Sequence, residues 1–287
     1  MKDAPFLSSL FLTLPSIPQH HNADDAVYGL LKMAARKEVV ENFSDIAPTP
    51  VSCGPFGQIS FPFYQMGAIS SMDCFGMDEL IIFSYYWARR NQYRRVLDIG
   101  ANLGLHSILL AKSGYEVRAF EPDPIHFALL QENLSRNGCT RATAFALAVS
   151  DEETDKEFIR VLGNTTSSHI AGSKANPYGE LEKFSVKTTH IKEHIGWADL
   201  IKLDAEGHEK TILLATDRED WRHTDCILEV SSPENAEALY EHFMKLDTPL
   251  FAQKQQWKKV EKLKDMPNNY REGSLFISQN PSMNWST

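Results

Sequence analysis

The sequence predicts an α/β protein with a doubly wound, mostly parallel sheet, because two residue patterns alternate along most of its length. From residue 95 onward, short apolar runs alternate with segments whose apolar residues recur at helical spacing. The run 95–99 leads through a glycine-spaced turn directly into such a segment at 105–111. Further apolar runs predict the remaining core strands, at 117–120, 144–149, 199–204 and 226–230.

Other elements are predicted on either side of this core. They are a helix at 26–42, an edge strand at 56–62, a helix at 78–87, and a C-terminal antiparallel hairpin of strands at 250–252 and 274–277. Pro62 restricts its strand to a sheet edge, and Asp78 is expected to cap the helix that follows it. Ser232 and Pro233 form a cap and first-turn pair for the last helix.

These elements divide the chain into an N-terminal extension at 1–75, a main domain at 76–280 and a tail at 281–287. The 287 residues, of which 43% are hydrophobic and 23% charged, suffice for one elaborated globular domain. The apolar run 6–14 has the length of a signal-peptide core, but prolines follow it where a small-residue cleavage site would stand. We therefore interpret this run as an N-terminal arm or helix.

Charge and cysteine usage limit the partners. The net charge of −9 argues against binding to a nucleic-acid backbone, which requires a basic face. The longest apolar runs fall short of the length that a membrane span needs. The four cysteines have neither disulfide-like nor metal-binding spacing. We therefore expect a cytoplasmic protein whose partners are small molecules, not nucleic acids or membranes, with a homodimer as one candidate assembly.

The most informative motif is the turn after the first core strand, in which Asp98 is followed by Gly100, Asn102 and Gly104. Glycines allow close approach of a ligand to the backbone, and the free N–H groups of a helix start attract a negative group. A second acid, Glu121, ends the next predicted strand, where a carboxylate can accept both hydroxyl groups of a ribose. The motif therefore predicts a site for a nucleoside with a small charged tail.

Two cofactor classes fit such a site. A nicotinamide dinucleotide needs a third glycine for its pyrophosphate, which this turn lacks, whereas Asp98 suits the ammonium group of S-adenosylmethionine. We favour S-adenosylmethionine over the dinucleotide and over a turn without a ligand. Glu121 is then expected at the ribose and Asp151, past the third strand, near the adenine. The methionine portion is expected among Asp98, Gly100, Asn102 and Gly104.

The candidate catalytic residues follow the fourth and fifth predicted strands. Asp204 and Glu206 come at the end of one strand and Glu229 at the end of the next, where an open sheet binds its ligands. One of these acids is expected to accept the proton of the methyl acceptor or to orient it, with His106 or His208 as the alternative base. The competing interpretation is that the acids cap helices and that the histidines pack in the core. A bound magnesium ion is possible but not favoured, because fixed carboxylates alone suffice.

Three motifs together resemble the FkbM family of S-adenosylmethionine-dependent methyltransferases. They are Asp98-x-Gly100-x-Asn102-x-Gly104, Phe120-Glu121-Pro122 and Ile201-Lys202-Leu203-Asp204-x-Glu206-Gly207-x-Glu209, of which the third is the most specific to the family. The resemblance covers about 76–280 and leaves the first 75 residues unexplained. It implies a Rossmann-like fold of the class I methyltransferase type, with Pro122 next to the cofactor. It also implies O-methylation, often of a sugar or natural-product hydroxyl.

The sequence therefore predicts a methyltransferase that uses S-adenosylmethionine and a small polar acceptor, with a saccharide as one candidate. A nicotinamide-dependent oxidoreductase and a non-catalytic cofactor-binding subunit are the alternatives. Amino methylation of bases is disfavoured, because no Asn/Asp-Pro-Pro-aromatic motif follows the fourth strand.

Overall fold

A computed structural model describes residues 2–174 and 179–285, so the last two residues of the predicted tail lie outside it. The N-terminal part contains short strands and two α-helices. In chain order they are β1 (Lys2–Asp3), α1 (Pro5–Thr13), α2 (Ala26–Phe43), β2 (Val51–Ser52), β3 (Gln58–Ile59), β4 (Gln65–Met66) and β5 (Ile69–Ser70). The predicted helix at 26–42 is confirmed. Only two residues of the predicted edge strand at 56–62 pair with a neighbour.

The helix α1 is part of the protein core. Its residues Leu7, Leu10 and Phe11 are buried in one hydrophobic cluster with α3 (Met77–Ala88). The carboxylate of Glu38 on α2 accepts the first free N–H groups of α1, from Phe6 at 3.0 Å and Leu7 at 2.6 Å. The N-terminal apolar run is therefore a packed helix.

The main domain first alternates strands and helices as predicted, and then has five consecutive strands before the next α-helix. Its elements after α3 are β6 (Arg95–Ile99), α4 (Leu105–Lys112), β7 (Glu116–Phe120), α5 (Pro124–Arg136), β8 (Ala142–Phe145), β9 (Ala148–Ser150), β10 (Asp155–Val161), β11 (His169–Ile170), β12 (Leu181–His190) and α6 (Lys192–Ile195). The second half follows with β13 (Leu200–Leu203), α7 (Glu209–Leu214), β14 (Asp225–Glu229), α8 (Pro233–Lys245), β15 (Leu250–Ala252), β16 (Lys258–Lys259) and β17 (Ser274–Ile277).

The central sheet has eight strands in the order β16-β15-β17-β14-β13-β6-β7-β8. The strands from β14 to β8 run parallel, and β17, β15 and β16 pair antiparallel at the other side. Hydrophobic clusters cover both faces of this sheet, as a doubly wound fold requires. The predicted fold class and its antiparallel C-terminal strands are confirmed.

Two local predictions were wrong. The run 144–149 is not one strand, because β8 belongs to the central sheet while β9 pairs with β12 in a second sheet of order β11-β10-β12-β9. Asp78 does not cap α3, whose cap residue is Gly76. Its carboxylate instead accepts hydrogen bonds from Tyr28 at 2.9 Å and Gln253 at 2.5 Å, so that it ties the N-terminal and C-terminal segments together. Ser232 caps α8 as predicted.

Within the described residues, no helix is long and apolar enough to cross a membrane. Each of the four cysteines is a free thiol.

A buried ion pair fastens the second sheet to the start of α5. The Arg160 guanidinium on β10 donates to both carboxylate oxygens of Asp123, at 2.6 Å each, and both side chains are buried. Arg160→Met would leave the Asp123 charge buried without its partner, so we expect the free energy of unfolding to fall by about 3–5 kcal/mol. Urea denaturation measures this loss.

The matched control is Lys183→Met on the same sheet, which removes an exposed pair with Glu157. We expect it to cost less than about 1 kcal/mol. Equal losses in the two variants would contradict a stabilising role for the buried pair.

Candidate active site

Two connected spaces lie beyond the carboxyl ends of β6, β7 and β13. An inner cavity of about 660 Å³ adjoins the end of β7, and a wider outer cleft of about 1770 Å³ extends toward β14 and α3. Five residues line both spaces and form what we call the junction: Gly100, Asn102, Thr166, Asp204 and Glu206.

The turn after β6 is packed so closely against the end of β13 that its first glycine cannot be replaced without strain. Gly100 has a φ of 77°, and a Cβ atom there would lie 1.8 Å from the carbonyl oxygen of Asp204. Gly104 has a φ of 87°, and a Cβ atom there would lie 2.5 Å from Leu130 Cδ1 on α5. The two glycines therefore hold β13 and α5 against this turn.

The carboxylate of Glu121 lies at the end of β7 and lines the inner cavity. Its Oε2 accepts the N–H of Asn102 and its Oε1 that of Asp123, both at 2.8 Å. Burial raises the pKa of Glu121 to about 7, against the opposing effect of these hydrogen bonds. Each oxygen retains a further lone pair, so the carboxylate can accept hydrogen bonds from two neighbouring hydroxyl groups.

Beyond Glu121 the inner cavity is largely apolar. Its walls at this end come from β7, the β8–β9 connection and the second sheet: Phe120, Leu147, Ala148, Val149, Phe158 and Ile170. Such walls suit a flat ring with few polar atoms.

The outer cleft is rich in acids. Asp73, Glu79, Asp204, Glu206 and Glu229 line it, together with two lysines, Lys174 and Lys202. The acids outnumber the lysines, so the cleft is expected to have a negative potential.

Both lysines are already paired with acids. Lys174 forms an ion pair with Glu206, and the Lys202 ammonium lies 3.5 Å from Asp204 and 3.8 Å from Asp98. Burial works to lower the pKa of Lys202, but these carboxylates raise it overall, so Lys202 stays charged.

Two acids of the cleft have raised pKa values. Burial and the neighbouring Asp204 raise the pKa of Glu206 to about 7. The same two causes raise the pKa of Glu229 well above its usual range. Carboxyl groups with raised pKa values are more basic than ordinary ones once they ionise.

His106 is held by two neighbours on α3. Its Nδ1 lies 2.9 Å from the Tyr86 hydroxyl and its Nε2 lies 2.9 Å from a Glu79 carboxylate oxygen. The ring therefore has a fixed orientation at the wall of the outer cleft.

The sequence profile of the Methyltransferase FkbM domain matches residues 98–257, more than half of the chain. The chain belongs to the FkbM methyltransferase family. The match begins at Asp98, within β6, and includes the residues of the junction.

A curated relative from Streptomyces tacrolimicus, 31-O-demethyl-FK506 methyltransferase FkbM, is 28% identical over 173 residues. The match covers 49% of this chain and 66% of the relative, just under two thirds of the relative's length.

Two solved structures have weak similarity. Precorrin-6y C5,15-methyltransferase from Geobacter metallireducens GS-15 is 12% identical with a TM-score of 0.38, covering 69% of this chain and 86% of its own. A SAM-dependent methyltransferase from Agrobacterium tumefaciens is 10% identical with a TM-score of 0.37, covering 72% and 63%. Neither similarity bears on the chemistry of this site.

The FkbM domain brings most of the predicted site residues together. Gly100, Asn102, Glu121 and Pro122 line the inner cavity. The predicted catalytic acids Asp204 and Glu206 lie at the junction, and Glu229 and His106 line the outer cleft.

Two residues of the glycine turn support the site from behind. Asp98 is fully buried, accepts a hydrogen bond from the Ser107 hydroxyl at 2.5 Å, and lines neither space. Gly104 also lines neither space, since its role is to admit Leu130. Both residues therefore lie behind the walls of the two spaces, next to the turn where the methionine portion is expected.

Asp151 was predicted near the adenine, and the structure places it elsewhere. Its carboxylate is exposed, accepts a hydrogen bond from Ser150 and pairs with Lys156 at 3.3 Å. Because β9 leaves the central sheet to join β12, the residue after it does not reach the carboxyl edge where the cavity lies.

His208 lies in the wall of the inner cavity and not in the outer cleft. Its ring nitrogens bond the hydroxyls of Ser150 at 2.9 Å and Ser173 at 3.0 Å. Burial lowers its pKa to about 4. These contacts favour a structural role over that of the alternative base.

The sequence argument missed Glu79, Lys174 and Lys202 as site residues. Glu79 was hidden within an apolar helix, and Lys174 precedes a polar stretch without a pattern. Lys202 stood inside the most specific motif, and a lysine in a buried strand between two acids could have identified it.

The inner cavity fits S-adenosylmethionine, which the family implies. Asn102 Oδ1 is buried there without a hydrogen-bond partner among the described residues, as expected of an acceptor awaiting a ligand donor. In residues 2–174 and 179–285, no group of three or more His, Cys, Asp or Glu side chains is arranged to hold a metal ion.

Proposed function

We propose that the FkbM domain binds S-adenosylmethionine in the inner cavity and methylates a hydroxyl group of a small polyhydroxy acceptor in the outer cleft. The observation that carries this proposal is the junction, where the carboxylates of Asp204 and Glu206 line both spaces at once. A methyl group passing from one space to the other must cross this point.

The residues of the inner cavity divide among the parts of the cofactor. Glu121 accepts the two ribose hydroxyls, while Gly100 and Asn102 face the methionine portion. The apolar wall between Leu147 and Ile170 receives the adenine. When bound, S-adenosylmethionine supplies a methyl group made electrophilic by its positive sulfur.

The chain itself supplies a proton acceptor. Asp204 or Glu206 orients the acceptor hydroxyl and takes up its proton as the oxygen becomes methylated. Ion pairing with Lys202 and Lys174 keeps these carboxylates in place, so the reacting oxygen is held in one position. His106, fixed by Glu79, is the second candidate for the base.

The charge of the cleft supports an uncharged acceptor. Carboxylates accept hydrogen bonds from hydroxyl groups and repel phosphates and carboxylates, and both lysines of the cleft are already paired. A sugar, a glycoside or a hydroxylated natural product meets this requirement. The name of the 28% identical relative, 31-O-demethyl-FK506 methyltransferase, supports oxygen as the methylated atom.

Calorimetry with S-adenosylhomocysteine tests the cofactor assignment. Glu121→Ala should bind it at least about tenfold more weakly than the wild type, because losing a hydrogen bond to a charged group costs about 1.5–3 kcal/mol. Glu116→Ala is the control, since this exposed acid stands at the opposite end of the same strand.

The nicotinamide-dependent alternative is tested in the same experiment. We expect NADH to give no heat of binding with the wild type. Equal affinity of the Glu121→Ala variant for S-adenosylhomocysteine, or tight binding of NADH, would overturn the proposal.

A further inference from the structure

His169 on β11 is a buried group of the inner cavity that neither the sequence argument nor the proposed chemistry uses. The side chain is 1% exposed and lines the inner cavity, but not the outer cleft. Its Nε2 is buried and has no hydrogen-bond partner among the described residues.

The other ring nitrogen determines what Nε2 can bind. Nδ1 lies 2.8 Å from the carbonyl oxygen of Ser167, which can only accept, so the proton of a neutral ring is on Nδ1. Burial lowers the pKa of His169 despite this hydrogen bond, with Lys174 as a further cause, which keeps the ring neutral at pH 7. Nε2 therefore has a lone pair that requires a donor.

The remaining polar side chains at this end of the cavity are already paired. The Ser168 hydroxyl donates to the Thr165 carbonyl at 2.7 Å, and the Thr165 hydroxyl pairs with His126 at 3.0 Å. Asp123 is paired with Arg160. Among these side chains of the described chain, His169 Nε2 is thus the acceptor that has no hydrogen-bond partner.

The position of His169 fits one part of the cofactor. With the ribose at Glu121 and the methionine portion at the junction, the adenine ring lies against Phe158 and Ile170, the neighbours of His169 in the second sheet. The hydrogen-bond donor on the adenine ring system is its 6-amino group.

We propose that His169 Nε2 accepts a hydrogen bond from the 6-amino group of adenine and thereby selects adenosyl over inosyl ligands. This inference rests on the proposed function, since it presupposes an adenosyl cofactor in the inner cavity. His169 on the second sheet then recognises the adenine, which Asp151 does not.

Calorimetry with a set of ligands on the wild type is the first test. S-inosylhomocysteine has a 6-oxo group that cannot donate, so it should bind at least about tenfold more weakly than S-adenosylhomocysteine. The 7-deaza analogue retains the 6-amino group and should bind within about threefold of S-adenosylhomocysteine. Equal affinity for the adenosyl and inosyl ligands would overturn this inference and leave the proposed function intact, whereas no binding of either ligand would overturn both.

The variant His169→Ala is the second test. It should lose the preference for the adenosyl ligand, mainly by weaker binding of S-adenosylhomocysteine. The control is His242→Ala, because His242 Nε2 is also buried without a hydrogen-bond partner in the described part of the chain but lies on α8 outside the cavity. The assignment would be contradicted if a folded His169→Ala variant kept the preference for the adenosyl over the inosyl ligand. It would also be contradicted if His242→Ala lost that preference to the same extent.

Discussion

Replacing Asp204 with asparagine is expected to lower the rate of methyl transfer at least about a hundredfold, because a positioned base contributes about 10²–10⁴ to such a step. The side chain is only partly buried and lies at the junction, 3.5 Å from Lys202, so its amide fits in the same place. Affinity for S-adenosylhomocysteine should stay within about threefold of the wild type. Mass spectrometry of the methylated product measures the rate of methyl transfer to an acceptor with a free hydroxyl group. Calorimetry measures the affinity for S-adenosylhomocysteine.

The variant Glu206→Gln tests which of the two junction acids, Asp204 or Glu206, acts as the base. Since the pKa of Glu206 is about 7, a base at this position becomes active as the pH rises from 6 to 8. If Glu206 is the base, the variant loses turnover and this rise with pH, and if Asp204 is the base, the variant keeps most of its turnover.

The exposed acid Glu237 on α8 provides the control variant Glu237→Gln. If Asp204→Asn and Glu206→Gln both retained full activity, the two acids would be structural, and His106 would become the leading candidate.

Gly100→Ala is expected to have the largest effect on the fold of the site. The added methyl group would overlap the Asp204 carbonyl, and the residue would keep a left-handed conformation. Backbone strain and overpacking each cost about 1–3 kcal/mol, so the free energy of unfolding should fall by about 2–6 kcal/mol. The shift of the β13 end should also abolish detectable binding of S-adenosylhomocysteine.

The variant Gly114→Ala distinguishes the effect of steric overlap from that of backbone strain. Gly114 has a φ of 96°, but a Cβ atom there meets nothing within 4 Å. This variant should lose only the strain component, about 1–3 kcal/mol, and bind S-adenosylhomocysteine normally. Equal losses in the two variants, measured by urea denaturation, would show that contact with Asp204 is unimportant.

The sequence located several residues that line the inner cavity, because the signals for them are local. Gly100, Asn102 and Glu121 stand at the ends of two adjacent parallel strands, and the spacing of a single strand-helix-strand unit fixes their positions. The same reasoning located Asp204 and Glu206, which follow the strand that pairs with β6 on its other side.

The predictions that failed depend on contacts between distant segments. Asp151 lies outside the cavity because β9 pairs with β12, some forty residues later in the chain, and apolar composition gave no sign of that pairing. His169 has its role for the same reason, since the second sheet carries it to the cavity. Glu79 contributes through the packing of α3 against α4, which local patterns do not encode.

A crystal structure of the domain with S-adenosylhomocysteine tests the central claim most directly. We expect both ribose hydroxyls within hydrogen-bond distance of the Glu121 carboxylate, the adenine between the apolar walls beside His169, and the sulfur atom at the junction facing the outer cleft. A ligand bound in the outer cleft, or one whose ribose does not contact Glu121, would contradict this account.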